Sequence, residues 1–174
     1  KRGIDFINIP TTLLSMVDAS VGGKTGVDLG NLKNQIGVIN VPQMVLIDTK
    51  YLETLPKSEM RSGLAEMLKH GLIADVSHWN DLITIEELTP ENIAPHIENS
   101  MMIKENVVVK DYKEKSLRKI LNFGHTIGHA VESYALTNSK KPLTHGEAIA
   151  IGMVCEAHLS AKYCNLTPDE LVDI

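Results

Sequence analysis

The sequence predicts an α/β segment over residues 1–55 followed by a mainly α-helical domain over residues 56–174. Three observations carry that prediction. β-rich runs at residues 4–9 and 43–48 bracket glycine-containing loops, helical spacing of apolar residues takes over after Leu55-Pro56, and two Thr-x-x-Glu capping boxes announce helices at Thr144 and Thr167.

Residues 4–9 read as a strand that Pro10 stops. Residues 13–18 read as a short helical turn ending in Ser20-Val21-Gly22-Gly23. The following Lys24-Thr25 invites a phosphate-loop reading, but the position five before Gly23 is Asp18 rather than glycine, so what remains is a backbone turn presenting a lysine or a plain surface loop. Residues 28–34 read as a second loop, carrying Lys33 and Asn34, and residues 43–48 as a buried strand. Beyond Pro56, Ser58 is the expected cap of a helix running to about His70, with apolar faces from Met60, Leu64, Met67, Leu68 and Leu72. Glu66, Lys69 and His70 on it have the spacing of an ordinary surface ion-pair cluster, worth a few tenths of a kcal/mol. A further helix over residues 92–110 carries Lys104 among Met101, Met102, Ile103 and Val107.

Residues 117–131 are organised differently. On a continuous α-helix, at ~100° per residue, Arg118, Asn122, His125 and His129 fall within about 60° of one another while Leu121, Phe123, Ile127 and Val131 point elsewhere. A polar stripe is most often a solvated face, but solvated faces are rich in Lys and Glu, and this one offers two imidazoles, an amide and a guanidinium. Burying them unpaired would cost on the order of 1–3 kcal/mol each, so a ligand, a metal or matching side chains must face them. A loop over residues 137–143 with Lys140 and Lys141 leads to the Thr144 capping box. The helix after it reads as apolar all round and hence buried, with His145 in its first turn, where the positive end of the helix dipole should lower the imidazole's pKa. At Thr167 another helix is announced with Pro168 at its first position and only four residues follow the box; Lys1 is not an initiator Met, so the chain reads as a piece of a longer polypeptide.

Composition narrows the function. No run of about 18 apolar residues is present to span a bilayer, and nothing resembles a signal peptide. Two cysteines, Cys155 and Cys164, on or near an apolar helical segment make a disulfide framework unexpected and a reducing, cytoplasmic compartment the default. A net charge of −5 argues against nucleic acid as partner, yet leaves room for a small anionic substrate, because local charges set a pocket's field. Glu66 and His125, His129 and His145 make a plausible metal site: a catalytic divalent metal takes three protein ligands, often two His and a carboxylate, and keeps a position open. Four candidates stand for three places. The H-E-x-x-H signature is absent, since Thr126 follows His125.

Asp18-Ala19-Ser20-Val21-Gly22-Gly23-Lys24-Thr25, Gly63-Leu64-Ala65-Glu66-Met67-Leu68-Lys69, residues 121–130 and His145-Gly146-Glu147 together resemble the 3-dehydroquinate synthase family over nearly the whole chain. The resemblance implies a dehydroquinate synthase-like fold, with the last part of an N-terminal dinucleotide-binding domain and much of a C-terminal helical domain held here. It implies a phosphate-eliminating lyase of the shikimate pathway, converting 3-deoxy-arabino-heptulosonate 7-phosphate to 3-dehydroquinate with NAD and a divalent metal, zinc or cobalt, in a homodimer at full length. Oxidation of a ring hydroxyl by NAD⁺ would acidify the neighbouring C–H and make phosphate elimination feasible.

Residue by residue, the resemblance makes Glu66, His125 and His145 the metal ligands and His129 a proton-transfer group that reaches the phosphate. Arg2, Lys24, Asn34 and Asn122 match phosphate-side positions, and Arg118 a carboxylate clamp suited to a bidentate guanidinium. Asp18, Lys69 and Lys104 match positions at the substrate's hydroxyl groups; Thr11, Thr12, Lys33, Thr54 and Leu55 match positions beside the nicotinamide cofactor. Among these, His129, Lys69, Lys24 and Asn122 are the expected catalytic set. Two features depart from the family's pattern: the loop between His129 and His145 is long, and no G-x-G-x-x-G occurs, so this piece alone is expected to bind NAD⁺ poorly and not to turn over. The alternatives are a sister sugar-phosphate cyclase, a metal-dependent polyol dehydrogenase or, outside enzymes, a helical metal-binding module.

Overall fold

A computed structural model of the chain describes residues 3–29 and 32–174. Its elements run β1 (Ile7–Asn8), a π-helical turn (Ser15–Ala19), β2 (Lys24–Leu29), β3 (Leu32–Ile39), β4 (Met44–Val45), a 3-10 helix (Thr49–Thr54), α1 (Lys57–Ala74), α2 (Val76–Ile83), α3 (Pro90–Lys110), a second 3-10 helix (Leu117–Asn122), α4 (His125–Asn138), α5 (His145–Tyr163) and α6 (Pro168–Asp173). The change from strand to helix after Pro56 follows the sequence pattern.

The two expected strands shrink to a parallel two-residue ladder, Ile7 opposite Met44 and Asn8 opposite Val45. The run at 43–48 is not a buried strand: Met44 and Leu46 are exposed, as are Ile4, Ile7 and Ile9. Among the described residues β1 and β4 have no third strand to pair with. Of the loop expected at residues 28–34, residues 30 and 31 lie outside the described residues and the rest belong to strands. β2 and β3 form an antiparallel pair in the register Lys24–Ile39, Thr25–Val38 and Val27–Ile36, with a bulge between Val27 and Leu29; β-branched residues at alternating positions favour that pairing.

The core forms where the π-helical turn plugs into the helices. Leu13, Met16 and Val17 pack with Leu52, Met60, Met67, Leu82, Ile93 and Ile97, which seats Asp18 on α1 and α3. α1 begins one residue before the expected cap: Pro56 occupies the N-cap, its ψ of 145° ending the extended segment, and Ser58 lies inside the first turn. Thr89 caps α3 by accepting from the Asn92 N–H, with Pro90 at the first helical position.

α5 packs on α1 and α4, and only one face of it is buried. Gly146, Ala148, Ile149, Gly152, Met153 and Ala157 form that face, whereas Ile151, Val154 and Leu159 are exposed, so the helix expected to be buried all round is amphipathic in its packing. The α4–α5 crossing is a backbone contact: a Cβ on Gly152 would lie 1.9 Å from the Gly124 oxygen. At the other end, the Gly146 N–H donates to Ser62 Oγ at 2.9 Å, tying the start of α5 to the turn of α1 before Glu66. Among the described residues, no helix is long and apolar enough to cross a membrane.

Candidate metal and substrate site

The polar stripe is not one helix face. Residues 117–122 form a 3-10 helix, Gly124 takes a left-handed conformation at φ 78°, and α4 starts only at His125. A glycine adopts that φ without the steric cost a Cβ would bring. The new helix start is capped from a distance: both Glu156 carboxylate oxygens accept from it, from the Gly124 N–H at 2.8 Å and the Ile127 N–H at 3.3 Å. Arg118 and Asn122 therefore sit on a separate axis from His125 and His129. Arg118 is buried, donating to the Tyr112 oxygen at 2.9 Å and the Gly22 oxygen at 3.4 Å, which braces the glycine turn before Lys24.

Three imidazoles gather where α4 meets α5. The ring centroids of His125 and His129 lie 5.2 Å apart, those of His125 and His145 5.5 Å, and those of His129 and His145 5.8 Å. Glu66 of α1, fully buried, faces two of them: its Oε1 is 3.7 Å from His125 Nε2 and 3.6 Å from His145 Nε2 and has no hydrogen-bond partner. Those distances are too long for hydrogen bonds. Two metal–ligand bonds of about 2.1 Å at a tetrahedral angle hold their donor atoms about 3.4 Å apart, so the spacing suits a shared divalent ion. Nδ1 of His125 lies 3.2 Å from the Phe123 oxygen and Nδ1 of His145 lies 3.4 Å from Glu132 Oε2, both acceptors, which leaves each Nε2 lone pair aimed at the Glu66 side. His129 shares the cluster as well, since one donor atom of each of the three imidazoles lies within 4.8 Å of the others.

The electrostatics keep Glu66 ionised. Burial pushes its carboxyl up, but the Lys69 ammonium, ion-paired with Oε2, and the adjacent His145 and His125 outweigh it and hold the group well below the usual carboxylate range. The bare spacing of Glu66 and Lys69 suggests a surface pair; both are buried, because α3, α5 and the π-helical turn pack on α1. Burial, then Lys69, push His125 down. His145 moves up, not down as its place at a helix N-terminus suggests, because the carboxylates of Glu66 and Glu132 outweigh burial.

A cavity of about 340 Å³ opens beside the imidazoles, lined by Asp18, Lys24, Lys69, Lys104, Glu114, Arg118 and Asn122 together with His125, His129 and His145. Lys104 Nζ lies 2.7 Å from Asp18 Oδ1 and donates to the Asp18 backbone oxygen at 2.5 Å. Lys24 is ion-paired with Glu114, which also accepts from Asn122 Nδ2 at 3.0 Å. His70, a potential rival ligand beside Glu66, is anchored by its Nδ1, which lies 2.9 Å from Ser100 Oγ, an oxygen that also meets His78 Nε2 at 3.3 Å, while its Nε2 faces Asp18 Oδ1 at 3.9 Å. Burial and Lys69 push the His70 pKa down to about 4, so it is neutral near pH 7.

Of the expected cofactor-side residues whose side chains are described, Thr11, Thr12, Thr54 and Leu55, none lines this cavity. Thr12 Oγ1 bonds Ser15 Oγ at 2.9 Å, Thr54 Oγ1 donates to the Tyr51 oxygen at 3.5 Å, Leu55 packs on the core and Thr11 is exposed. Arg2 lies outside the described residues, as do the side chains of Lys33 and Asn34. Sequence reasoning missed Glu132, Glu156 and Glu114. Glu132 carried a signal, for it stands seven residues after His125 and thus on the same face of α4.

Comparison with known proteins gives a consistent result. The family model described as 3-dehydroquinate synthase C-terminal matches residues 63–174, and that described as 3-dehydroquinate synthase N-terminal matches residues 1–62. The chain is 44% identical over 176 residues to a protein named 3-dehydroquinate synthase in Parabacteroides distasonis, covering 100% of this chain and 50% of that protein. It is 49% identical over 165 residues to its namesake in Dictyoglomus thermophilum, covering 92% and 46%. Among solved structures, 2-epi-5-epi-valiolone synthase from Streptomyces hygroscopicus, with NAD⁺ and Zn²⁺ bound, superimposes with a TM-score of 0.86 at 32% identity over 99% of this chain and 48% of its own. A 2-deoxy-scyllo-inosose synthase complexed with carbaglucose-6-phosphate, NAD⁺ and Co²⁺ matches at 0.86 and 31%, over 98% and 47%. The chain thus spans about half the length of the relatives it matches.

Proposed function

Since this chain belongs to the 3-dehydroquinate synthase family, we propose that it supplies the metal- and substrate-binding half of a 3-dehydroquinate synthase. The protein converts 3-deoxy-arabino-heptulosonate 7-phosphate to 3-dehydroquinate and inorganic phosphate, as a homodimer in the cytoplasm. One observation carries the reading: a fully buried Glu66 carboxylate presents an oxygen without a hydrogen-bond partner to the Nε2 atoms of His125 and His145. A buried, unpaired anionic acceptor is costly, and a cation at that point removes the cost.

In this reading Glu66, His125 and His145 hold the metal, and NAD⁺ and the metal, when bound, supply reversible hydride acceptance and Lewis acidity. His129 moves a proton between the substrate and the departing phosphate. Asp18, Lys69 and Lys104 orient the substrate's hydroxyl groups, in keeping with the close Asp18–Lys104 pair in the cavity. Lys24 and Asn122 receive the phosphate with Arg2 and Asn34, exchanging Glu114 for it as their anionic partner; Arg118 clamps the carboxylate. Thr11, Thr12, Lys33, Thr54 and Leu55 stand on the cofactor side.

A second reading, a sister sugar-phosphate cyclase, draws support from the likeness to valiolone and deoxy-inosose synthases. Phosphate release by the complete polypeptide, supplied with NAD⁺ and Zn²⁺, separates the two. The proposal expects turnover with 3-deoxy-arabino-heptulosonate 7-phosphate and none with sedoheptulose 7-phosphate or glucose 6-phosphate; the reverse preference overturns it.

A further inference from the structure

Glu132 is a carboxylate in an unusual place. It is 4% exposed, on the α4 face that also carries His125 and His129, and its Oε2 reaches across to Nδ1 of His145 on α5 at 3.4 Å. Burying a carboxylate costs several kcal/mol unless something compensates, so a packing role alone is an expensive use of the position.

We propose that Glu132 is a positioning residue for the metal ligand His145, acting through its Nδ1; the inference rests on the reading of His145 as a ligand. Two geometric facts support it. The acceptor at Nδ1 fixes the proton there, so Nε2 carries the lone pair, and that same Nε2 is the atom 3.6 Å from the unpartnered Glu66 Oε1. The partner of His125 at the equivalent nitrogen is only the Phe123 backbone oxygen, at 3.2 Å. A carbonyl orients a ring, whereas a carboxylate also stabilises the positive charge an imidazole gains on donating to a cation, which makes His145 the stronger donor of the pair. Glu132 also ties the ligand geometry together: α4 gives His125 directly and, through Glu132, sets the ring of a ligand that belongs to α5.

The test uses the complete polypeptide stripped of metal, with Zn²⁺ affinity measured by competition with a chromophoric chelator and unfolding midpoints measured alongside. Glu132→Gln keeps an oxygen to accept from Nδ1–H but loses the charge, and weakens Zn²⁺ binding about 10-fold; Glu132→Ala loses both and weakens it about 100-fold. In a His145→Ala background, Glu132→Gln has no further effect on Zn²⁺ affinity, a coupling that a purely structural carboxylate does not produce. Wild-type affinity in Glu132→Gln, or an equal loss with and without His145, overturns the inference, and the near-isosteric Gln variant decides it even where Ala fails to fold. If His145→Ala alone leaves Zn²⁺ affinity unchanged, the ligand assignment itself has failed, a result distinct from the failure of Glu132 alone.

Discussion

Two clusters of potential metal donors lie side by side under the cavity, and they are solved in opposite ways. In one, His125, His129 and His145 bring donor atoms within 4.8 Å of one another beside the bare oxygen of Glu66; in the other, Asp18, Glu66 and His70 do the same. Proximity does not distinguish them. Charge does: Lys104 already sits on Asp18 and Lys69 on Glu66 Oε2, so the second cluster is neutralised by ammonium groups the protein carries itself. Ring orientation does not separate them either, for His70 is held by Nδ1 on Ser100 and keeps Nε2 towards Asp18 just as His125 and His145 keep Nε2 towards Glu66. Glu66 stands between them, with Oε1 towards His125 and His145 and Oε2 ion-paired with Lys69. A cluster of donors becomes a metal site where the protein withholds its own cations.

The sharpest way to break this contrast is to neutralise one carboxylate from each side in the complete, metal-stripped polypeptide. Glu66→Gln lowers Zn²⁺ affinity by more than about 100-fold, whereas Asp18→Asn leaves it unchanged; equal losses in the chelator competition would erase the distinction. An effect of similar size is expected from acid. His70 stays neutral in the fold down to about pH 4, but the unfolded chain takes up its proton near 6.5, so metal-free stability falls as pH drops from 6.5 to 4, by on the order of 3 kcal/mol. His145, whose pKa is raised, has the opposite sign: its contribution is present below 6.5 and lost as pH rises through the folded value. Urea unfolding at several pH values should show the acid slope flattened by His70→Gln, and an unaltered slope would count against the burial account. The least effect belongs to the cavity mouth. The Lys24–Glu114 pair is half in solvent, with side chains 53% and 22% exposed, so Lys24→Ala changes stability by less than about 1 kcal/mol in thermal melts.

How much of this the sequence disclosed depended on the range of the interactions. Both capping boxes form as written, Thr144 with Glu147 and Thr167 with Glu170, because a cap is settled within four residues. The convergence of Glu66, His125 and His145 was foreshadowed by residue type and by a family resemblance, not by spacing. The break at Gly124 was invisible, since it depends on Glu156, 32 residues further on. Likewise Glu66 and Lys69 have the same local pattern whether solvated or buried, and only the packing of α3, α5 and the π-helical turn on α1 decides. Glu114 carries no local signal at all; its meaning lies in Lys24, 90 residues away.

The notch at Gly152 carries a last consequence. With the two helix backbones in contact there, His125 and His145 cannot drift apart unless the pair itself comes undone. An ion clasped between them would act as a rivet through two girders, so holding the ion and resisting heat become one property. At a free metal concentration of 100 times the dissociation constant, that coupling adds about 2.7 kcal/mol to the folded state, and a melting curve recorded with and without chelator reads out metal occupancy directly.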